Sequence, residues 1–142
     1  MTRNDKARRQ AGFTLIELLV VLAILGLLAA VVGPQVLKYL GSSRSQAARV
    51  QVQNITAGLE LYRLDTGRYP SDAEGLAALM AAPAAAPGWN GPYLRRAEGL
   101  RDPWGRPYLY KMPGAHGEAD VYTLGADGAE GGTGEDQDVG NW

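Results

Sequence analysis

The sequence predicts an α+β protein in which one long N-terminal helix packs on a small antiparallel sheet. Residues 18–32 contain no charged or strongly polar side chain, and helical apolar spacing then continues to residue 62. In the C-terminal half, two short stretches alternate apolar and polar residues on either side of a loop, a pattern typical of a hairpin. A chain of 142 residues leaves room for one such domain.

The apolar N-terminal segment is long enough to cross a membrane. Residues 12–32 supply about the twenty residues that a spanning helix needs, and the Leu and Ala that dominate them favour helix. Residues 1–12 carry a net charge of +3 and the remainder −4, an asymmetry that keeps the first flank in the cytoplasm and sends the rest across. A cleaved secretory signal is disfavoured, because Ala29-Ala30 is a weak cleavage site and the apolar run continues beyond it. Composition alone favours an uncut signal anchor.

Glu17 is a charged side chain inside this apolar segment. A charge within a spanning helix costs roughly 2.5–3.5 kcal/mol on insertion scales, so such a residue is a candidate functional group. A second explanation is structural: near the helix start a carboxylate is stabilised by the helix dipole and reaches the membrane interface. The residues alone leave both explanations open.

Gly33-Pro34 interrupts the helical pattern and predicts a bend or a locally unwound segment, because proline removes one backbone hydrogen bond. The alternative is the membrane exit, where such pairs are tolerated. Beyond it the helix becomes amphipathic and is predicted to end at residues 65–67 (Asp-Thr-Gly), with Gly67 as a left-handed cap. The apolar stripe consists of Ala48, Val52, Ile55, Leu59 and Tyr62.

The C-terminal half is predicted to build the remaining layer. Residues 71–74 (Ser-Asp-Ala-Glu) form a capping box that opens a short helix through Met80. The apolar side chains of this short helix are predicted to face the long helix. Residues 81–88 form a loop. Residues 108–112 and 120–124 alternate as strands, and residues 113–119 join them as a hairpin.

The acidic, glycine-rich segment 127–138 is the candidate cation site. Calcium takes six to eight oxygen ligands, and glycines let a short loop fold around it. The EF-hand pattern fails, because Ala129 and Gly131 occupy its third and fifth places. A single half-copy of a calcium nonapeptide repeat cannot build the stacked helix which that motif serves. Composition alone therefore favours a solvated, flexible tail.

The sequence offers few residues for disulfides, catalysis or nucleic-acid binding. The chain has no cysteine, so disulfides and thiolate metal sites are excluded. Its one histidine, His116, falls in the hairpin loop, and none of the four serines lies in a nucleophile-elbow context. A net charge of −1 without a basic patch argues against a nucleic-acid partner. We therefore expect a chain that is not an enzyme.

Residues 12–17, Gly-Phe-Thr-Leu-Ile-Glu behind a basic leader, resemble the class III signal of type IV pilins and type II secretion pseudopilins. The resemblance implies that a prepilin peptidase cuts between Gly12 and Phe13 and methylates the amino group of Phe13. An ionised carboxylate in low dielectric needs a cationic partner, and this new ammonium provides one for Glu17. The residues permit pairing within one chain or between chains, and the resemblance implies pairing with a neighbour. It also implies that the helix loosens at Pro34 on assembly.

Several collinear motifs extend the resemblance over residues 11–142, to the major pseudopilins of type II secretion. They are residues 61–70, 75–79, 89–94, 102–108 and the tail 124–142. The resemblance implies a type IV pilin-like fold with a C-terminal calcium-binding loop. The implied ligands are Asp127, Asp136 and Asp138 with the backbone carbonyls of Leu124 and Thr133, and Glu130 and Glu135 are weaker candidates. The implied division is a removed leader at 1–12, a transmembrane and assembly helix at 13–33, and a periplasmic domain at 34–142.

The implied function is structural. The chain would sit in the bacterial inner membrane with its N-terminus cytoplasmic, then polymerise into a periplasmic pseudopilus that drives folded proteins through the outer-membrane secretin. Its expected partners are other copies of itself, minor pseudopilins, the prepilin peptidase, and an inner-membrane platform with a cytoplasmic ATPase. The alternatives are a type IV pilin for adhesion, motility or DNA uptake, and a monomeric membrane-anchored calcium-binding module. The missing cysteine pair argues against many type IV pilins.

Overall fold

The computed structural model describes residues 12–142 and confirms the α+β class. The helix α1 spans Leu15–Thr66, and the strands are β1 (Leu109–Lys111), β2 (Asp120–Thr123) and β3 (Val139–Gly140). Three short 3₁₀ turns, Leu76–Leu79, Ala97–Leu100 and Gly134–Asp136, connect them. The chain divides into two compact units, the first ending at Lys38 and the second spanning Tyr39–Trp142.

The described part of the first unit is an apolar helical segment with no buried side chain along its membrane-length window. Among the described residues, α1 is the one helix long and apolar enough to cross a membrane. Its large apolar side chains are exposed on all faces, as Leu15, Leu22 and Leu27 illustrate at 88%, 62% and 69% exposure. A helix that is apolar all round needs lipid or other protein around it.

Pro34 lies inside α1, and the helix continues through it without interruption. The single chain therefore shows no locally unwound segment at Gly33-Pro34, so this one of the two predicted alternatives, a bend or local unwinding, is wrong for the isolated chain. Proline still lacks the N–H that would bond to the carbonyl four residues earlier, so Ala30 loses its usual helical donor.

The core of the second unit forms around the predicted apolar stripe of α1. Its five positions are each no more than 1% exposed, and fully burying one such side chain stabilises the fold by about 1.5–3 kcal/mol. They pack in one cluster with Leu79, Leu94, Tyr108 and Val121. The periodicity in the sequence thus identified the face of α1 that the rest of this unit covers.

Gly67 ends α1 as predicted, in a left-handed conformation with φ of 79°. Its N–H donates to the carbonyl of Arg63 at 2.7 Å, the single bond of an αL cap. The last helical residue, Thr66, falls within the predicted end at residues 65–67. Thr66 stabilises this last turn, because its hydroxyl donates to the carbonyl of Tyr62 at 2.8 Å.

The capping box at residues 71–74 is present, but the α-helix predicted after it is wrong. The Ser71 N–H donates to Glu74 Oε2 at 2.7 Å, and the Glu74 N–H donates to Ser71 Oγ at 3.3 Å. Gly75 then takes a φ of 58°, which ends regular helix, and only a 3₁₀ turn follows at Leu76–Leu79. Leu76 and Leu79 are buried and Met80 is half-buried, so the predicted packing is confirmed.

The sheet has the order β1–β2–β3 and is antiparallel throughout. Tyr110 faces Val121 across the predicted hairpin, which is confirmed with shorter strands of three and four residues. β3 was not predicted, because a two-residue strand ending in glycine carries no alternation. It pairs with β2 through Val139 opposite Thr123, and it brings the end of the acidic segment to the sheet edge.

We expect Glu74→Gln to lower the melting temperature near neutral pH, with a difference that shrinks in acid. The hydrogen bonds from Arg68, then those from Ser71, lower the pKa of Glu74 from 4.5 to about 2. A depressed pKa in the folded state gives stability that is present above the ordinary pKa and lost as the pH falls through the folded one. Thermal melts across this range check the sign. Glu98→Gln, at an exposed carboxylate, is the control, and parallel pH profiles for wild type and Glu74→Gln would contradict the expectation.

Candidate functional sites at the helix start and in the acidic loop

The first candidate site is the start of α1, where Thr14 and Glu17 cap the helix reciprocally. Glu17 Oε2 accepts from the Thr14 N–H at 2.8 Å and from the Thr14 hydroxyl at 3.0 Å. The Glu17 N–H donates to Thr14 Oγ1 at 3.2 Å, and the Thr14 carbonyl accepts the N–H of Leu18. This is a capping box. The carboxylate therefore has donors in the single chain, which gives the structural explanation of Glu17 a definite geometry.

The predicted cleavage pair lies just before this cap. Gly12 and Phe13 are not helical and are exposed, Phe13 at 90%. A Cβ at Gly12 would meet nothing within 4 Å, so packing in this chain does not require glycine there. The predicted leader lies outside the described residues, apart from Gly12. An exposed, non-helical pair ahead of a helix is accessible to a processing enzyme.

The second candidate site is the acidic loop, which we define as residues 125–138. Its backbone closes on itself across both ends. The Ala126 N–H donates to the carbonyl of Glu135 at 2.9 Å, and the Asp138 N–H donates to the carbonyl of Gly131 at 3.2 Å. Asp138 Oδ2 accepts from the Gly131 N–H at 3.0 Å. The flexible tail that composition favoured is instead a folded loop.

Two glycines allow the loop to close around one carbonyl. Gly125 and Gly132 have φ of 64° and 77°, a region that side chains disfavour. A Cβ on either would stand 2.5 Å from the carbonyl oxygen of Asp136. This oxygen therefore occupies the interior of the loop, at a point that only glycine backbone can approach.

The predicted calcium ligands fall in three different environments. Asp127 is exposed and accepts from the Ala129 N–H at 3.0 Å, and Asp136 is exposed as well. Asp138 Oδ1 is buried with no hydrogen-bond partner in the described structure. The carbonyl of Thr133 already accepts from the Asp136 N–H at 3.2 Å, and Leu124 and Asp138 line one cavity.

A calcium ion fits the acidic loop only with help from backbone oxygens. Within residues 12–142, no three side chains of His, Cys, Asp or Glu lie close enough to hold a metal by themselves. An orphaned buried carboxylate oxygen such as Asp138 Oδ1 is costly without a partner, and a cation would satisfy it. Hard oxygen donors are what calcium prefers. The three predicted aspartates are not gathered into one cluster, so carbonyls would have to complete the shell.

Arg106 positions the start of the acidic loop and was missed by the sequence analysis. Its guanidinium donates to the carbonyls of Gly125 and Ala126, the latter at 3.3 Å. Asp102 is buried and accepts from the Arg106 N–H at 2.8 Å, which fixes the turn that presents this arginine. A Cβ at Gly128 would lie 2.5 Å from Arg106 Nη1. An Asp followed by Pro was the available turn signal.

Glu135 anchors the other end of the acidic loop. Its Oε1 accepts from Trp104 Nε1 at 2.9 Å and lies 3.3 Å from Arg44 Nη1. The hydrogen bond from Trp104, with a further contribution from Arg44 and against the effect of burial, lowers the pKa of Glu135. The weaker calcium candidate of the sequence analysis is thus occupied by protein donors. Nothing in the sequence pattern indicated this pairing across the chain.

Comparison with known families decides the family of this chain. Residues 35–142 match the family described as "Type II secretion system (T2SS), protein G", and residues 7–33 match the "Prokaryotic N-terminal methylation motif". The chain belongs to the type II secretion system protein G family. Its apolar helix and methylation motif fit a pseudopilin anchored in the inner membrane.

Relatives named as protein G agree with this assignment over nearly the whole chain. "Type II secretion system core protein G" of Pseudomonas aeruginosa is 47% identical over 139 residues, which cover 95% of this chain and 96% of the relative. The protein of the same name from Vibrio cholerae is 43% identical over 140 residues, covering 96% of this chain and 94% of the relative.

A solved structure supports the fold as well. The major pseudopilin from the type 2 secretion system of enterohaemorrhagic Escherichia coli superimposes with a TM-score of 0.59 at 31% identity, covering 70% of this chain and 87% of that one. The protein G chain described here is therefore a pseudopilin, and the expected pilin-like architecture is confirmed. This favours the pseudopilin over the type IV pilin and the monomeric module. Cleavage at Gly12–Phe13, the assembly roles of Glu17 and Pro34, and the calcium ligands stay predictions.

Proposed function

We propose that the processed chain polymerises in the periplasm into the type II secretion pseudopilus and drives folded proteins through the outer-membrane secretin. The observation that carries this proposal is the first unit, a helical segment exposed on all of its apolar faces. Such a surface is stable in lipid before assembly and among other copies of itself afterwards. Protein G relatives that match nearly the full length of the chain support the same role.

Processing supplies the assembly chemistry in this proposal. A prepilin peptidase removes residues 1–12 and methylates the amino group of Phe13, four residues before Glu17. In low dielectric the carboxylate then gains a cation, and pairing with the Phe13 ammonium of a neighbouring copy sets the axial register. Pro34, which leaves the Ala30 carbonyl without its helical donor, is the point where α1 yields during assembly.

The second unit, Tyr39–Trp142, which is the globular unit of the chain, contributes a folded periplasmic surface that calcium stabilises. Asp127, Asp136 and Asp138, with carbonyls of Leu124 and Thr133, would hold the ion after local adjustment of the loop. The ion would supply a positive charge that cross-links these oxygens and satisfies Asp138 Oδ1.

The remaining partners follow from this role. They are minor pseudopilins, the inner-membrane platform with its cytoplasmic ATPase, and the secretin, with no nucleic acid. Because the platform supplies the energy, the chain needs no catalytic group of its own, and we propose that it is not an enzyme.

Intact-mass measurement of the protein purified from membranes tests the processing step. We expect a species that lacks residues 1–12 and carries one added methyl group. Gly12→Leu should leave the full-length mass, because a large side chain would obstruct a site cut after glycine. Gly26→Leu is the matched control, since a Cβ there also meets nothing within 4 Å. A wild-type protein that begins at Met1 would leave an uncut anchor and remove the basis of the filament.

A further inference from the structure

The Glu135 side chain of the acidic loop reaches the long helix. It lies in the 3₁₀ turn Gly134–Asp136, and its carboxylate contacts α1 at Gly41 and Arg44 while accepting from the Trp104 indole. All of these residues belong to the second unit. The side chain is about one-third exposed, at 32%.

Gly41 shows how closely the carboxylate approaches the helix. A Cβ built on Gly41 would stand 2.5 Å from Glu135 Oε2, so the carboxylate occupies the space of the missing side chain. Gly41 is buried, although neighbouring positions on the helix are exposed. Glycine in a helix interior is less favourable than alanine, and the space that the Glu135 carboxylate occupies accounts for a glycine at this position.

The same turn is part of the loop that encloses the candidate calcium site. The Glu135 carbonyl accepts from the Ala126 N–H at 2.9 Å, and the next residue contributes the interior carbonyl described above. Glu135 therefore links a backbone element of the loop to α1 through one side chain.

We propose that Glu135 is a positioning residue that holds the acidic loop against α1, so that calcium binding in the loop and the contact between Glu135 and the helix stabilise one another. This inference rests on the proposed calcium binding. Coupling between two sites is reciprocal. Calcium that orders the loop therefore strengthens the contact between Glu135 and α1. Loss of that contact lowers the affinity of the loop for calcium by the same factor.

The decisive variant, Gly41→Ala, changes the helix and leaves every proposed calcium ligand intact. The new methyl group displaces the carboxylate, while alanine raises helix propensity, so loss of the fold is not expected. We expect calcium affinity to fall about fivefold, at the lower end of measured coupling. Ser43→Ala, at an exposed position of the same helix, is the matched control and should bind like wild type.

A spectroscopic signal separates positioning from general stability. The indole N–H resonance of Trp104, assigned with Trp104→Phe in the processed full-length protein in detergent, reports its hydrogen bond to Glu135. Calcium chloride should shift and sharpen this resonance in wild type and in Ser43→Ala, but not in Gly41→Ala. Glu135→Gln keeps an acceptor for the indole, so calcium should shift the Trp104 resonance more in this variant than in Glu135→Ala.

The outcomes distinguish this inference from the proposed function. Equal calcium affinity and equal Trp104 responses in wild type and Gly41→Ala would overturn the coupling and leave calcium binding intact. Absence of calcium binding by wild type at millimolar concentration would overturn the calcium proposal and the coupling with it.

Discussion

Replacing Glu17 with alanine is expected to abolish pseudopilus formation while leaving membrane insertion and the globular unit intact. Removing a charge from a spanning segment makes insertion easier by roughly 2.5–3.5 kcal/mol, so a failure to assemble would not reflect lost insertion. The physical reason is the unpaired ammonium that remains on Phe13 once its carboxylate partner has gone. Sedimentation of sheared filaments and electron microscopy measure the result.

Thr14→Ala is the matched control, because it removes the hydroxyl contacts to Glu17 and keeps the charge. Loss of a capping side chain costs about 0.5–2 kcal/mol of helix stability, and filaments should still form. Equal loss of assembly in both variants would show that the helix cap, and not the charge, is what assembly needs. Normal filaments from Glu17→Ala would contradict the pairing itself.

Chelation of calcium is expected to lower the melting temperature of the full-length protein in detergent by on the order of 10 °C. A ligand at a hundred times its dissociation constant stabilises the folded state by about 2.7 kcal/mol, and 1 kcal/mol shifts the melting temperature of a small domain by about 4–8 °C. The loop closes only with glycines in left-handed conformations and carries several acids, so the ion offsets both entropy and repulsion.

Asp138→Asn tests the ligand assignment within the same experiment. It keeps the volume of the side chain with the orphaned oxygen and removes its charge, so its melting curves with EDTA and with calcium should coincide. Glu98→Gln should keep the wild-type response. A wild-type melting curve that is unchanged between EDTA and millimolar calcium would refute calcium binding by this loop.

The regular elements were predictable where the sequence carries a period. The stripe from Ala48 to Tyr62 repeats at helical spacing over four turns, and every position on it is buried. The helix expected after the capping box failed because Gly75, with a φ of 58°, breaks it, although the capping bonds between Ser71 and Glu74 are formed. Local capping chemistry identified the turn correctly and could not show how far the helix would continue.

The candidate sites were predictable only in part. The charge at Glu17 stood out against an apolar segment, and the Thr-x-x-Glu spacing that forms its cap was readable as well. Glu135 was different, because Arg44 lies ninety-one residues earlier in the chain. A contact between such distant residues depends on the tertiary fold, and a single sequence contains no periodic signal for it.

The carbonyl of Asp136 couples the effects that substitutions at two glycines have on stability. A methyl group at either Gly125 or Gly132 would strike this same oxygen, so a displacement of the oxygen by one substitution changes the space that the other one meets. The torsional penalty at each position remains separate. The free-energy cost of the double substitution should therefore differ from the sum of the two single costs, a form of epistasis between neighbours that share one contact atom.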